Sequence, residues 1–368
     1  MSGDSHADPR VLLACEWFVK YSAGLTRGLV DAGCEAMLLT RDHDLEFGNV
    51  PGAMHEFVAM TLGGKARHLE LTGRVRDLGR LRDVVRLRRL GKRWGPDVVH
   101  IQDSLTHDLR IAVAAGYPWK RYALTVHDPT PHPGDPQPSA RILLARRRLR
   151  RGAELIFVHS EALAEELRAT GDVRGAVEVV PLPFVGEAEI EPLPDAPSLL
   201  FFGRISHYKG LDTLLEAMPS VWERVPEASL TIAGDGPLPD SPALADPRLT
   251  LRHGHIPEED VAGLFAACSC VVLPYRQASQ SGVGSAAKQY GRAIVATDVG
   301  GLPDLVDPSC GRLVPPEDPA ALAEAMVEVL ATPGLAAAMG DRAAATVAES
   351  SWTSVSAKTL AAYREYLL

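Results

Sequence analysis

Short, continuous apolar runs alternate along the chain with longer stretches of helical periodicity. VLLAC (11–15) is followed by a polar turn and by a helix pattern over 23–32 that Gly33 stops, and then by a second apolar run over 36–40. DVVHI (97–101), YALTV (122–126) and LIFV (155–158) repeat the unit, each after a helical stretch. Buried strands that alternate with helices predict a parallel sheet covered on both faces. Between 179 and 198 the pattern dissolves into VVPLPFVGEAEIEPLPDAPS, whose prolines and acids read as a linker. The rhythm restarts with runs over 199–202, 229–233, 249–252, 270–273 and 293–297, and closes on a long helical region. The expected fold class is therefore α/β, with two Rossmann-like doubly wound sheets in tandem, over 1–183 and 184–351.

Length agrees with two units, since 368 residues exceed what one ordinary core holds. Charge separates them further. Residues 1–183 carry 26 Lys and Arg against 23 Asp and Glu, whereas 184–368 carry 12 against 24. No basic stripe is interleaved with aromatics, which argues against a nucleic-acid binder. The five cysteines form no CxxC pair and read as buried thiols in a reducing compartment. The start, MSGDSHADPR, reads as acidic and polar where a signal peptide would be basic, and no apolar run approaches the ~20 residues of a membrane span. A cytoplasmic protein is the expectation.

In doubly wound sheets ligands sit beyond the carboxyl ends of the strands, so the loops after strands are where chemistry is sought. Gly203-Arg-Ile-Ser-His-Tyr-Lys-Gly210 links an apolar strand to a helix start, with Arg204 and Lys209 beside free backbone N–H groups. Two cations at a helix amino terminus describe a diphosphate clamp. Thr231-Ile-Ala-Gly-Asp-Gly-Pro237, which holds Asp235, is a double-glycine turn, and Arg252-His-Gly-His-Ile256 could pair its backbone with a flat heterocycle. Ser279, Gln280, Ser281 and the N–H groups of Gly282 and Val283 precede a helix expected over 284–290 and suit a second phosphate or sugar contact. In the first half, the loop from Thr125 places His127 and Asp128 at a strand end, with His132 following. No GxGxxG follows the first strand, which disfavours a dinucleotide oxidoreductase.

The ordered series Gly203-Arg204…Lys209-Gly210, Ala233-Gly-Asp-Gly-Pro237, Gly291-Arg-Ala-Ile-Val-Ala-Thr-Asp-Val-Gly-Gly301-Leu-Pro and Gly311-Arg-Leu-Val-Pro-Pro resembles the retaining glycosyltransferases of family four, which have the GT-B fold. Pro96-Asp-Val-Val-His100 and Phe157-Val-His-Ser160 match weaker positions of the same pattern. The resemblance implies a sugar transfer from a nucleotide-diphosphate donor, without metal or other cofactor. Arg204 and Lys209 would grip the diphosphate, His127 would contact the donor sugar, and the backbone at Ile256 would read the base. Gly203, Asp235 and the 279–283 loop would complete the donor site. The resemblance also implies that the last helix, within 352–368, packs back on the first domain. The acceptor, a glycan, lipid or small metabolite, stays open.

Three features depart from that pattern or extend it. The family's two glutamates, seven residues apart, would fall at Ala278 and Ala286, and both acids are absent. The loop resembles instead a branch with Gln-Ser-Gly-Val, here Gln280-Ser281-Gly282-Val283, which leaves the nucleotide open and raises a 2′-deoxyribose donor as one option. After the first strand the family's Gly-Gly loop is replaced by Glu16-Trp-Phe-Val-Lys-Tyr-Ser-Ala-Gly24, where Lys20, Tyr21 and Ser22 are candidates to face the diphosphate or, with His132, the acceptor. The basic runs 74–93 and 141–151 read either as solvated helix faces or as peripheral contacts to the inner face of an anionic membrane. Asp42-His-Asp44 reads as a surface turn. The alternative functions are a nucleotide-sugar epimerase of the same fold, a sugar phosphorylase and a non-catalytic nucleotide-binding partner subunit.

Overall fold

The computed structural model describes residues 9–41, 45–71, 79–103, 121–131, 138–184 and 188–368. Asp42, His43, Asp44 and His132 lie outside the described residues, so the readings made on them do too.

The first seven strands form one parallel sheet. They are β1 (Arg10–Ala14), β2 (Glu35–Arg41), β3 (Arg67–Leu71), β4 (Val98–Gln102), β5 (Ala123–Thr125), β6 (Leu155–Val158) and β7 (Ala176–Val179), in the order β3-β2-β1-β4-β5-β6-β7. Helices α1 (Val19–Asp31), α2 (Ala53–Leu62), α3 (Gly79–Trp94), α4 (Ala140–Gly152) and α5 (Glu161–Ala169) lie between them in sequence. A second parallel sheet holds β8 (Ser198–Phe202), β9 (Ser229–Gly234), β10 (Leu249–His253), β11 (Cys270–Leu273), β12 (Ala293–Thr297) and β13 (Gly311–Val314), ordered β10-β9-β8-β11-β12-β13. Its helices are α6 (Leu211–Arg224), α7 (Glu258–Ala266), α8 (Gly282–Gln289), α9 (Leu302–Leu305), α10 (Pro319–Ala331) and α11 (Leu335–Ala345).

Each sheet is buried on both faces, which is why its central strands read as unbroken apolar runs. Alternate residues of β1 point opposite ways. Leu13 joins Leu25, Leu38 and Phe157 on one face, while Leu12 joins Leu39, Ile101 and Ile156 on the other. In the second sheet Leu199 and Phe201 pack with Ile232 and Val272, and Leu200 packs with Val271 and Ile294 behind them. Each such side chain, taken wholly out of water, contributes about 1.5–3 kcal/mol.

Three strands escaped the sequence reading: β3, β7 and β13. All three are edge strands. RHLEL and AVEV are half-buried at most positions and GRLV is open at its two middle ones, so they lack the continuous apolar run that marks a strand covered on both faces.

The final helix α12 (Trp352–Tyr366) returns to the first sheet and lies along α1. Gly24 and Gly28 permit the approach. A Cβ on Gly24 would sit 2.3 Å from the Trp352 ring, and one on Gly28 would sit 2.1 Å from Ser356 Oγ. Tyr363 then reaches the interior of the first domain, where its hydroxyl meets His100 Nδ1 at 2.5 Å.

In both sheets the strand order reverses beside the first strand, between β1 and β4 and between β8 and β11. The crevices at those reversals are where loops can hold a ligand.

Candidate functional site

On the second sheet the predicted loops converge. The chain leaves β8 at Gly203, whose N–H donates to Ala233 O, and Ile205 N–H donates to Asp235 O. The double-glycine turn is shaped by this crossing. A Cβ on Gly234 would lie 1.9 Å from Gly203 O, and one on Gly236 would lie 2.0 Å from Ile205 O, so only glycine lets the two backbones touch. Asp235 takes part through its carbonyl, and its side chain is exposed. Gly254 N–H and the His253 ring in turn donate to Gly234 O and Gly236 O, which sets the 253–256 loop, with Ile256 half-buried, beside the same turn.

Lys209 ends a 3-10 turn (His207–Lys209) and folds back over Gly203, its Nζ 3.3 Å from where a Cβ would stand. Its ammonium donates to Tyr275 Oη at 3.1 Å and lies 4.8 Å from the centre of that ring. Burial works to lower the Lys209 pKa, but Tyr275 and Tyr208 outweigh it, and the net direction is upward. The lysine stays charged at neutral pH. Tyr275 Oη is also 3.4 Å from Ser281 Oγ, which caps α8 by accepting the Gly284 N–H. The helix starts two residues before the expected 284, so Gly282 and Val283 form its first turn. Their N–H groups have no acceptor among the described residues, and the Val283 side chain reaches Gly203. Arg204 is exposed, with its guanidinium 6.0 Å from the Tyr208 ring. Ser279 is buried, and the side-chain oxygens of Ser206, Gln277 and Gln280 are buried without a partner.

Two residues that sequence reasoning missed hold this arrangement. Tyr275 joins Lys209 to α8. Arg276 donates to both carboxylate oxygens of Asp212, to Glu317 and to His207 O, and its own N–H donates to Tyr208 O. It locks the lysine turn to the strand end, but nothing in its spacing announces a partner 64 residues away.

On the first sheet His127 is brought to the crevice and sealed there. It is fully buried, with the Phe18 ring stacked on it at 3.6 Å and the edge of Tyr21 at 5.2 Å. Burial, then His159 and His100, push its pKa well below the usual histidine range, so the ring is neutral. Hydrogen bonding fixes its tautomer. His159 Nδ1 faces Val180 O at 3.0 Å and must donate to it. Burial lowers the His159 pKa to about 4, so that ring is neutral as well and its Nε2 accepts. His127 therefore donates from Nδ1 to His159 Nε2, 3.0 Å away, and its own Nε2 carries a lone pair. Gln102 Oε1 stands 2.9 Å from that nitrogen, and because an oxygen cannot donate to a lone pair the amide is assigned the reverse way round, its otherwise unpartnered NH2 donating to His127 Nε2. Both ring nitrogens are thus engaged inside the domain. The expected contact to a donor sugar requires the Phe18 ring to lift.

Phe18 is itself unusual: it caps α1 with φ 64 and ψ 38, left-handed backbone that costs a non-glycine residue about 1–2 kcal/mol. Of the three candidates on this loop, Tyr21 and Ser22 are buried within the domain, Ser22 donating to Phe18 O. Both side chains are turned into the domain rather than toward the crevice surface. Lys20 does reach the crevice and pairs across it with Glu258 on α7. The amide N–H groups of Val19 and Lys20, at the start of α1, are taken by one carboxylate, Glu46, at 2.7 and 3.2 Å.

The basic segment 141–151 becomes α4, and two of its arginines point inward. Arg146 and Arg150 are each 4% exposed and pair with Asp103, which is 3% exposed. They also donate to the carbonyls of Asp128 and Pro129, fixing the loop that follows His127. Leu143 and Leu144 remain exposed on the same helix beside Arg147 and Arg148. Among the described residues no group of three or more His, Cys, Asp and Glu could hold a metal ion.

Comparison with known proteins places this geometry. A family model described as "Glycosyl transferases group 1" matches residues 196–332, and one described as "Glycosyl transferase 4-like domain" matches residues 19–183. The D-inositol 3-phosphate glycosyltransferase of Streptomyces avermitilis is 30% identical over 302 residues, a match that covers 74% of this chain and 61% of that protein. The chain thus spans less than two thirds of the length of that relative. Among solved structures, sucrose-phosphate synthase from Thermosynechococcus elongatus superposes with a TM-score of 0.74 at 20% identity, covering 97% of this chain and 98% of that one. HepE of Anabaena, in complex with UDP and glucose, superposes with a TM-score of 0.70 at 16% identity, covering 98% of this chain and all of that one (100%). The two-sheet architecture is the GT-B fold.

Proposed function

We propose that the chain is a group 1 glycosyl transferase with a glycosyl transferase 4-like first half, and that it moves a sugar from a nucleotide-diphosphate donor to an acceptor hydroxyl with retention at the anomeric carbon. The observation that carries this reading is the meeting of Lys209, Gly203 and the α8 amino terminus. A charged amine held by Tyr275 and two unpartnered amides face the end of a helix dipole, which is where a diphosphate is best stabilised. Arg204 stands at the exposed rim of the same loop and would close on the outer phosphate oxygens. The likeness to HepE, whose structure holds UDP and glucose, supports a nucleotide-sugar donor for this chain as well.

The chemistry follows from that charge placement. The acceptor oxygen attacks the anomeric carbon on the face from which the diphosphate departs. The bond between that carbon and the phosphate oxygen breaks, its electron pair passes to the phosphate, and the acceptor's proton is taken by a phosphate oxygen. The products are a glycoside and a nucleoside diphosphate. Lys209, Arg204 and the Gly282 and Val283 amides stabilise the charge that accumulates on the leaving group, so the step asks for no metal or other cofactor. Ser279, Gln280 and Ser281 would orient the sugar, and the backbone at Ile256 would read the base.

A thermal-shift titration against UDP, GDP, ADP and dTDP, without metal, tests this reading. One nucleotide is expected to raise the melting temperature selectively, and Arg204→Ala and Lys209→Ala are each expected to abolish the rise. Absence of a shift with every nucleotide would remove the basis for a transferase.

A further inference from the structure

The ring of Phe18 is held in place at a cost. Its backbone is left-handed, φ 64 and ψ 38, a conformation that glycine adopts freely and that strains any residue with a side chain. Such strain persists only where surrounding contacts over-determine it. Here they lie on both sides of the bond. The Ser22 N–H and hydroxyl donate to Phe18 O at 2.9 and 2.8 Å, and Glu46 takes the amides of Val19 and Lys20 that follow.

The imidazole of His127 lies beneath the Phe18 ring, their centres 3.6 Å apart and their planes 17° from parallel. His127 has no exposed surface, yet Phe18 is only half-buried. The exposed part of the ring is therefore the face and edge turned away from the imidazole, at the carboxyl end of β1 where the strand order reverses. Charged groups stand next to it. Two residues on, half-buried Lys20 pairs across the crevice with exposed Glu258.

A flat apolar face bordered by an ion pair suits a saturated ring that carries hydroxyls. The C–H groups on one face of a sugar bear slight positive charge and meet the negative face of an aromatic ring, while the hydroxyls around the edge can bond a carboxylate and an ammonium. We propose that Phe18 is an acceptor-positioning platform, on whose open face a sugar or cyclic polyol ring stacks with its hydroxyls toward Lys20 and Glu258. This rests on the transferase reading and narrows the acceptor to a carbohydrate ring. His127 acts through Phe18, as the backing that keeps the platform flat.

The test titrates methyl α-D-glucopyranoside, methyl α-D-mannopyranoside, myo-inositol and benzyl alcohol into the wild type, Phe18→Leu and Phe18→Tyr by proton NMR, with and without each of UDP, GDP, ADP and dTDP. The wild type is expected to bind at least one of the three ring polyols, with the ring C–H protons shifted upfield by the aromatic face. Phe18→Leu is expected to weaken that binding about five- to tenfold and to remove the shift, whereas Phe18→Tyr, which keeps the face, retains both. Wild-type protein that binds none of the three, binding that Phe18→Leu leaves unchanged, or tighter binding of benzyl alcohol than of any of them would overturn the proposal. The upfield shift in the wild type carries the test if Phe18→Leu does not fold. The nucleotides titrated alone report on the transferase reading separately, because the polyol arm is also run without them.

Discussion

At the scale of single residues, the buried histidines set the pH response. His100, His127 and His159 are all pushed down, chiefly by burial, His159 to about 4 and His100 to about 3. In the unfolded chain the same rings titrate near about 6.5. Between the two values the unfolded state binds more protons than the folded state. Stability is therefore full above the unfolded value and is lost as pH falls through the window toward about 4. The melting temperature should drop steeply between pH 6.5 and 4, and His159→Gln should flatten that slope; a wild-type melting temperature constant across the window would contradict the burial of neutral rings. Reading these residues from sequence has a clear boundary. Gly203, Lys209 and Ser281 are legible because the strand, loop and helix that carry them are local. Tyr275 is not, because its partner Lys209 is 66 residues away, and neither is the pairing of Val19 with Glu46, 27 apart, or of Arg150 with Asp103, 47 apart. Such pairings exist only once the sheets are assembled.

At the scale of elements, coverage decided what the apolar pattern revealed. Strands buried on both faces stand out as runs, whereas β3, β7 and β13, each with a free edge, do not. The same limit applies to α4, where eleven residues dense in arginine read as a surface. Its inward arginines become apparent only with Asp103 in place. The contact of α1 with α12 depends on two glycines one helical turn apart. Gly24→Val would push a side chain into the Trp352 ring and should cost about 1–3 kcal/mol by overpacking. Limited proteolysis of that variant should release the α12 segment first, and a melting curve identical to the wild type would show that the close approach contributes nothing. Tyr363 on the same helix bonds His100, so the return of α12 also stabilises the buried histidine network.

At the scale of the whole molecule, the two sheets face each other across a crevice with contacts on both sides. Lys20 pairs with Glu258, and the His255 ring packs against Gly48 so closely that a Cβ there would stand 2.6 Å from it. Elsewhere along the interface Ser285 Oγ donates to Leu182 O, and the Glu161 N–H donates to Asp304. The charge imbalance between the halves of the sequence does not map onto the crevice in a simple way. The first half is the more basic, yet among its described residues Arg41, Arg146 and Arg150 pair within the domain and Lys20 pairs with Glu258, while the acidic second half supplies Lys209 of the clamp. That clamp is the centre of the account, and a crystal structure with UDP bound tests it most directly. The β-phosphate should lie within hydrogen-bonding distance of Lys209 Nζ and of the Gly282 and Val283 amides, with Tyr275 still against the lysine. A nucleotide found in the crevice with its phosphates away from Lys209 and α8, or bound outside the crevice, would contradict it.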